Sequence, residues 1–310
     1  MSGGRYMPAD AFRNPRFSGV RTYMRLPHVT DLVDVDVAVL GLPFDTGTSF
    51  RSGARFGPEA IRSASALLRP YNPEQEVDIF AHLSVADAGD LPMAPGDTEA
   101  TYGLAEEGLA PYVAAGVFPV VLGGDHSITL AELRALSRRH RPLALVHLDA
   151  HGDTWHEYFG QRYFHGTTFR RAAEEGVIDP SSSVQAGMRG SLYGPEDISA
   201  ARELGSAAFG NLVRRTVGAR PVFLSYDVDF CDPAFAPGTG TPEIGGPSTS
   251  EALDVVRALH GVPLAGCDVV EVAPAYDSPG QPTALLGATI AWEAICLHAR
   301  AHAAVAEARG

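Results

Sequence analysis

Apolar runs of five to eight residues recur along this chain, and several of them close on acidic or imidazole side chains. The runs at 35–42, 118–122, 143–148, 183–188, 222–228 and 265–272 read as buried strands, with amphipathic segments such as 129–139 and 250–259 between them. Strands buried on both faces and separated by helical segments predict a parallel sheet covered by helices on each side. We expect one α/β domain of three layers, α/β/α, over residues 1–310: an N-terminal arm at 1–34, irregular from 4 to 27, and a core at 35–310 that ends in an alanine-rich helix over 300–310. Ligands of such sheets bind beyond the carboxyl ends of the strands. The residues that close each run are therefore the first candidates for a site.

Three closures are dense in metal-ligand chemistry: Gly123-Gly124-Asp125-His126-Ser127, Asp149-Ala150-His151-Gly152-Asp153 and Asp227-Val228-Asp229-Phe230-Cys231-Asp232. Side chains two apart in an extended chain point the same way. Asp149, His151 and Asp153 can therefore converge, as can Asp227 and Asp229. Carboxylates packed together repel one another unless a cation neutralises them. Four aspartates bring four negative charges and two divalent ions bring four positive ones, so Asp149, Asp153, Asp227 and Asp229 with neutral His126 and His151 suit two ions better than one. An isolated Asp-x-Asp at a strand end is more often a cap or a solvated turn. Three such closures in one chain are another matter. Asp227-x-Asp229-x-x-Asp232 also imitates the start of a calcium loop, but the glycine and closing glutamate of that loop are missing.

Composition narrows the chemistry further. A net charge of −13 disfavours nucleic acid and anionic membrane surfaces as partners and draws cationic ligands toward a cleft. All 24 basic residues are arginine, which excludes a Schiff-base lysine and a P-loop lysine. Cys231, Cys267 and Cys296 form no close-spaced metal or redox pair, and their odd number argues against a disulfide framework. With no signal pattern at the start and no apolar stretch of membrane-spanning length, a cytoplasmic location is expected.

The three closures, the last extended through Ala236-Pro237-Gly238-Thr239-Gly240-Thr241-Pro242, resemble the signatures of the arginase/agmatinase ureohydrolase family. The resemblance runs from about residue 22 to the C-terminus. It implies a site with two Mn2+ per subunit: His126, Asp149, Asp153 and Asp227 around one ion, Asp149, His151, Asp227 and Asp229 around the other, and Asp149 and Asp227 bridging. A donor set without thiolate suits manganese better than zinc. The resemblance further implies that Glu271 binds a guanidinium, that His165 protonates the leaving amine, and that subunits assemble as a homo-oligomer, trimer or hexamer. Read without the family, Glu271 is an ordinary strand-end acid and His165 a solvated loop histidine. His147 reads as a hydrogen-bonded core residue, Asp125 as an orienter of the site, Ser127 as a helix cap, and Cys231 as facing away.

Within that family, Thr22-Tyr23-Met24-Arg25-Leu26-Pro27, the tract from Gly47 through Pro58, and Leu68-Arg69-Pro70-Tyr71-Asn72 resemble the agmatinase and guanidinobutyrase branch. The implied reaction is hydrolysis of a small guanidino compound to urea and an amine, with 4-guanidinobutanoate or a related guanidino acid first and agmatine second. Trp155-His156-Glu157-Tyr158 is expected to read the substrate tail, His156 or a nearby arginine favouring a carboxylate and Glu157 an amine. A metal-containing homologue serving as a binding or assembly subunit is the rival, and a two-metal phosphoesterase is disfavoured by the acidic charge. The chain departs from the family between 189 and 221, where Arg202-Glu203-Leu204-Gly205 leads almost directly into 209–215 and one edge strand is expected to be lost.

Overall fold

The computed structural model describes residues 6–192, 194 and 206–309. The six expected strands form as β1 (Val37–Leu42), β5 (Phe118–Gly123), β6 (Ala144–Leu148), β7 (Val184–Ala186), β8 (Val222–Asp227) and β9 (Leu264–Val270), joined by β4 (Val85–Asp90); a separate antiparallel pair is β2 (Tyr71–Asn72) and β3 (Val77–Asp78). The main sheet runs β4-β1-β5-β9-β8-β6-β7, and every pairing within it is parallel. Helices α1 (Gly57–Ser65), α2 (Thr98–Ala115), α3 (Thr129–Ser137), α4 (Thr168–Glu174), α5 (Ser206–Val217), α6 (Thr249–Arg257) and α7 (Pro282–Arg309) connect and cover it.

Alternation along the strands divides the core in two. Val37 and Val39 join Ile61 of α1, Val213 of α5, Val256 of α6 and Ile295 of α7 on one face. Ala38 and Leu40 point the other way and join Leu109 of α2, Leu133 of α3 and Phe169 of α4. A period of two with both faces apolar is what a strand needs when helices lie above and below it.

Two expectations of extent are corrected, and one strand is added: β4 has no counterpart among the expected runs, and Asp87 lies within it. Its carboxylate is only 1% exposed and is held by Arg62 Nε at 2.9 Å and Tyr23 N–H at 2.6 Å, partners that lie far away in sequence. Strand β7 is half the expected length. The closing helix begins at Pro282, well before residue 300, and hides its start because Ala284, Leu286, Ile290, Ala291, Ile295 and Cys296 bury several of its sides and leave no single apolar stripe. The segment Arg202-Glu203-Leu204-Gly205 lies outside the described residues. Residues 6–22 hold no helix or strand, as expected of an arm, but Tyr23 and Met24 are buried, and the Tyr23 hydroxyl donates to Ala288 O at 2.8 Å. Among the described residues no helix is long and apolar enough to cross a membrane, and the three cysteines are buried and free.

Candidate metal centre

Strands β5, β9, β8 and β6 are neighbours, and their carboxyl ends deliver His126, Glu271, Asp227 with Asp229, and Asp149 through Asp153. Strands about 4.8 Å apart place β5 and β6 roughly 14 Å from each other, so the closing loops must curl back to meet. Two 3-10 turns do this. Asp125 caps His126–Ile128 by accepting Ser127 N–H at 3.0 Å, and Asp227 caps Val228–Phe230 by accepting Asp229 N–H at 2.8 Å. The expected cap by Ser127 is thereby corrected: its hydroxyl donates to Asp125, which reaches forward to the first turn as capping acids do. Gly124 allows the close approach, since a Cβ there would stand 1.7 Å from Phe44 O.

The six candidate ligands fall into two groups that share Asp149. His126 Nδ1 lies 3.0 Å from Asp149 Oδ2, 3.1 Å from Asp153 Oδ2 and 3.2 Å from Asp227 Oδ2. His151 Nδ1 lies 3.0 Å from Asp229 Oδ2 and 3.4 Å from Asp149 Oδ1. Asp149 thus turns one oxygen to each group, the posture expected of a bridge. Asp227 turns Oδ2 to the first group while Oδ1 accepts the N–H of its own turn. Asp153 adopts φ +49° and Glu271 φ +63°; a non-glycine residue in the left-handed region costs on the order of 1–3 kcal/mol, and such residues gather at functional sites.

Donor chemistry and spacing fit divalent ions. Ions with metal–ligand bonds of about 2.1 Å place octahedral neighbours roughly 3.0 Å apart, close to the separations around His126. His126 Nδ1 is fully buried and makes no hydrogen bond among the described residues, although three carboxylate oxygens surround it. Its Nε2 sits 2.8 Å from Ser225 Oγ, and a proton held there leaves the Nδ1 lone pair free for an ion. His147 is a fully buried core residue as expected. It lies within reach of the first group, but its Nε2 is 2.7 Å from Asp149 Oδ2 and its Nδ1 is 2.9 Å from Gln185 Nε2, so we place it behind the ligands. Cys231 Sγ pairs with the Tyr226 hydroxyl and contributes no thiolate.

Burial and like charge raise two of the aspartates, while the surrounding imidazoles hold Asp149 low. Burial, then the charges of Asp229 and Asp149, push Asp227 well above the usual carboxylate range. Burial and Asp149 bring Asp229 up to about 6, against the pull of His151. For Asp149 burial acts in the same direction, but His147, His126 and His151 outweigh it and hold the carboxyl low. Burial disfavours charge on His126, yet Asp149, Asp153 and Asp227 raise its pKa well above that of ordinary imidazole. The protein has concentrated negative charge where a cation would offset it.

Glu271 and His165 stand beside this centre as a pair. Glu271 is 1% exposed; Oε1 accepts His126 N–H at 3.0 Å and lies 3.2 Å from His165 Nδ1, while Oε2 has no partner among the described residues. His165 Nε2 lies 2.8 Å from Ser49 Oγ and 3.2 Å from Ser49 N; neutral, it accepts the Ser49 N–H, and protonated, it donates to the hydroxyl oxygen. Burial opposes protonation of His165, but Glu271, Asp153 and Asp125 overcome it and raise its pKa. A cavity of about 370 Å³ opens above, walled by His151, Asp153, His165 and Asp227 on the metal side and by Trp155, Tyr158, Thr241 and Glu243 farther out. Glu271 is not among the wall residues; it touches His165, which is. His156 and Glu157, expected to read a substrate tail, are exposed and do not line the cavity. Of the three branch-like tracts only Ser49 reaches it.

Several supporting residues carry weak sequence signals. Ser225 shares the face of Asp227 at period two, and Gln185 is a polar residue inside an apolar strand. Asp268, which is 1% exposed and accepts the Thr129 hydroxyl at 2.6 Å, is likewise an acid in an apolar run. Ser225 and Asp268 are buried and Gln185 half-buried, and a polar group taken from water needs a partner. Nothing local says which.

A parallel sheet whose adjacent strand ends bring two histidines and four aspartates together defines an α/β protein with a candidate two-ion centre. A family model for the arginase family matches residues 35–297, and the chain belongs to that family. It is 46% identical to guanidinopropionase of Pseudomonas aeruginosa, an alignment covering 98% of this chain and 99% of that protein. It is 43% identical to guanidinobutyrase of the same organism, over 94% of this chain and 96% of the relative. The structure of proclavaminate amidino hydrolase from Streptomyces clavuligerus superposes with a TM-score of 0.88 at 42% identity, covering 93% of this chain and all of that one.

Proposed function

We propose that this chain is a manganese-dependent ureohydrolase of one domain that hydrolyses a small guanidino compound to urea and an amine. The observation that carries the reading is His126 Nδ1, buried and without a hydrogen bond among three carboxylates. His126, Asp149, Asp153 and Asp227 would hold one ion, and Asp149, His151 and Asp229, with Asp227, the other. Two such ions would lower the pKa of water enough to supply hydroxide, the nucleophile a guanidinium needs, at neutral pH.

The remaining steps belong to the chain's own side chains. Glu271 Oε2, the acceptor left without a partner, anchors a guanidinium N–H, and Oε1 keeps His165 oriented and protonated. His165 then delivers its proton to the departing amine nitrogen, with the Ser49 hydroxyl at Nε2 as the route by which it is replenished. We place the protein in the cytoplasm, a reducing compartment that suits three free cysteines. We further propose that it is a homo-oligomer, trimer or hexamer. Phe12 and Phe17 of the arm, 103% and 81% exposed, support that assembly as apolar surface left for a neighbour.

A guanidino acid, 4-guanidinobutanoate or its shorter homologue, is the preferred substrate, supported by the names of the two Pseudomonas relatives. Agmatine is second, favoured by Glu243 in the cavity wall, whose carboxylate suits an amine tail. Urea release with manganese from arginine, agmatine, guanidinoacetate, 3-guanidinopropanoate, 4-guanidinobutanoate and guanidine tests the ranking. One of the two longer acids should lead. Preference for agmatine would overturn the acid assignment, and no urea from any compound would leave a binding or assembly subunit.

Acid should weaken metal binding. Asp229, at about 6 in the ion-free site, takes up a proton below that pH which an entering ion must displace. A folded pKa raised above the unfolded value contributes stability that is present at low pH and lost as pH rises through about 6. The ion-free chain therefore loses that contribution on approaching neutrality, and manganese restores it. Thermal unfolding with and without manganese should show a larger stabilisation at pH 7.5 than at pH 5.0; an equal or reversed difference would refute this.

A further inference from the structure

Arg189 follows β7 and reaches the cavity wall, yet among the described residues every hydrogen bond of its guanidinium ends on a main-chain carbonyl. Nη2 donates to Asp229 O at 2.7 Å, Glu243 O at 2.8 Å and Cys231 O at 3.2 Å. Nη1 donates to Phe230 O at 3.0 Å and Gly187 O at 3.2 Å, and Nε to Ile244 O at 3.1 Å. Three of those carbonyls, at 229, 230 and 231, belong to the turn that presents Asp229. The Arg189 main-chain N–H donates to Ala150 O at 3.0 Å, and Ala150 N–H donates to Asp229 Oδ1 at 3.0 Å. One residue therefore splices the loop that carries Asp149, His151 and Asp153 to the turn that carries Asp227 and Asp229.

We propose that Arg189 is the positioning residue that sets the His151–Asp229 half of the metal centre, an inference that rests on the two-ion reading above. Only arginine has a planar fork of five donors able to reach carbonyls of two loops at once; a lysine ammonium offers three donors on a single atom. The group is spent on the backbone and takes no part in holding a substrate carboxylate. The His126 group depends on it less, because His126 is placed by β5 and by Glu271 accepting its N–H, Asp149 by donating its N–H to Ala186 O at 3.1 Å, and Asp153 by its carbonyl accepting Phe169 N–H at 3.0 Å. Gly246 completes the clamp. A Cβ at that position would stand 2.5 Å from Nη2 and 2.7 Å from Cζ of Arg189, so the missing side chain is what lets the guanidinium lie there.

Manganese binding to the wild type, Arg189→Lys and Gly246→Ala, followed by calorimetry and by the spin-coupled electron paramagnetic signal of paired Mn2+, tests the inference without recourse to activity. Both variants should keep the first ion near wild-type affinity and bind the second about 10- to 100-fold more weakly, the usual loss when a supporting partner of a metal ligand is removed. The coupled signal should fade while the signal of an isolated ion persists. In turnover, kcat should fall and recover with excess manganese while KM for substrate stays. Loss of both ions together, or retention of both at wild-type affinity, overturns the proposal. So does failure of both variants to fold, which would make Arg189 a residue of the fold rather than of the centre. A wild type that binds fewer than two ions overturns the two-ion reading as well, whereas two ions without urea release from any guanidino compound sinks only the proposed reaction.

Discussion

Asp227→Ala should purify with a depleted metal centre and almost no urea release. Its carboxylate is 2% exposed, faces His126 Nδ1 through Oδ2 and holds the Asp229 turn through Oδ1, so one substitution removes a ligand and slackens the segment that presents another. Loss of an outer partner costs about 10- to 100-fold in metal affinity or activity; loss of a ligand should exceed that, and the fall in turnover should track the fall in bound manganese. The fold should remain, because removing one of several mutually repelling buried carboxylates relieves repulsion in the ion-free chain. Elemental analysis beside a urea assay reads both quantities. Two tightly bound ions with full activity would remove Asp227 from the centre.

His165→Ala should separate chemistry from metal binding. Among the described residues the ring nitrogens of His165 contact Glu271 and Ser49 and none of the six candidate ligands. The variant should keep both ions and lose about 10²- to 10⁴-fold in kcat near neutral pH, the range for a positioned proton donor. Since the raised pKa of His165 is what keeps its proton available, the wild-type rate should fall as pH rises through that value, and the variant should lack this limb. Unchanged turnover across the pH range would dismiss the role, and loss of an ion would place His165 among the ligands.

The six candidate ligands were legible because each closes an apolar strand and the acids repeat at period two, signals that survive in a linear chain. Glu271 and His165 carried no such signal. What makes Glu271 unusual is an unpaired oxygen at 1% exposure and a left-handed backbone, and both arise only after β9 is inserted between β5 and β8. His156 and Glu157 were misread for the converse reason: adjacency to Asp153 in sequence implied adjacency to the cavity, but the loop turns them outward and leaves Trp155 and Tyr158 in the wall. Arg189 carries no local signal of its role either: its guanidinium donors are occupied by carbonyls of segments some 40 to 55 residues away.

The sequence by itself determined the layered α/β class and marked the strand ends and the candidate donors that close them, because periodicity and residue type act locally. Tertiary structure decided the rest. The order β5-β9-β8-β6 brings ligands from segments a hundred residues apart within about 3 Å of His126, and burial among like charges raises Asp227 and Asp229. Strand order and desolvation depend on contacts between distant segments, for which a linear chain carries no local mark.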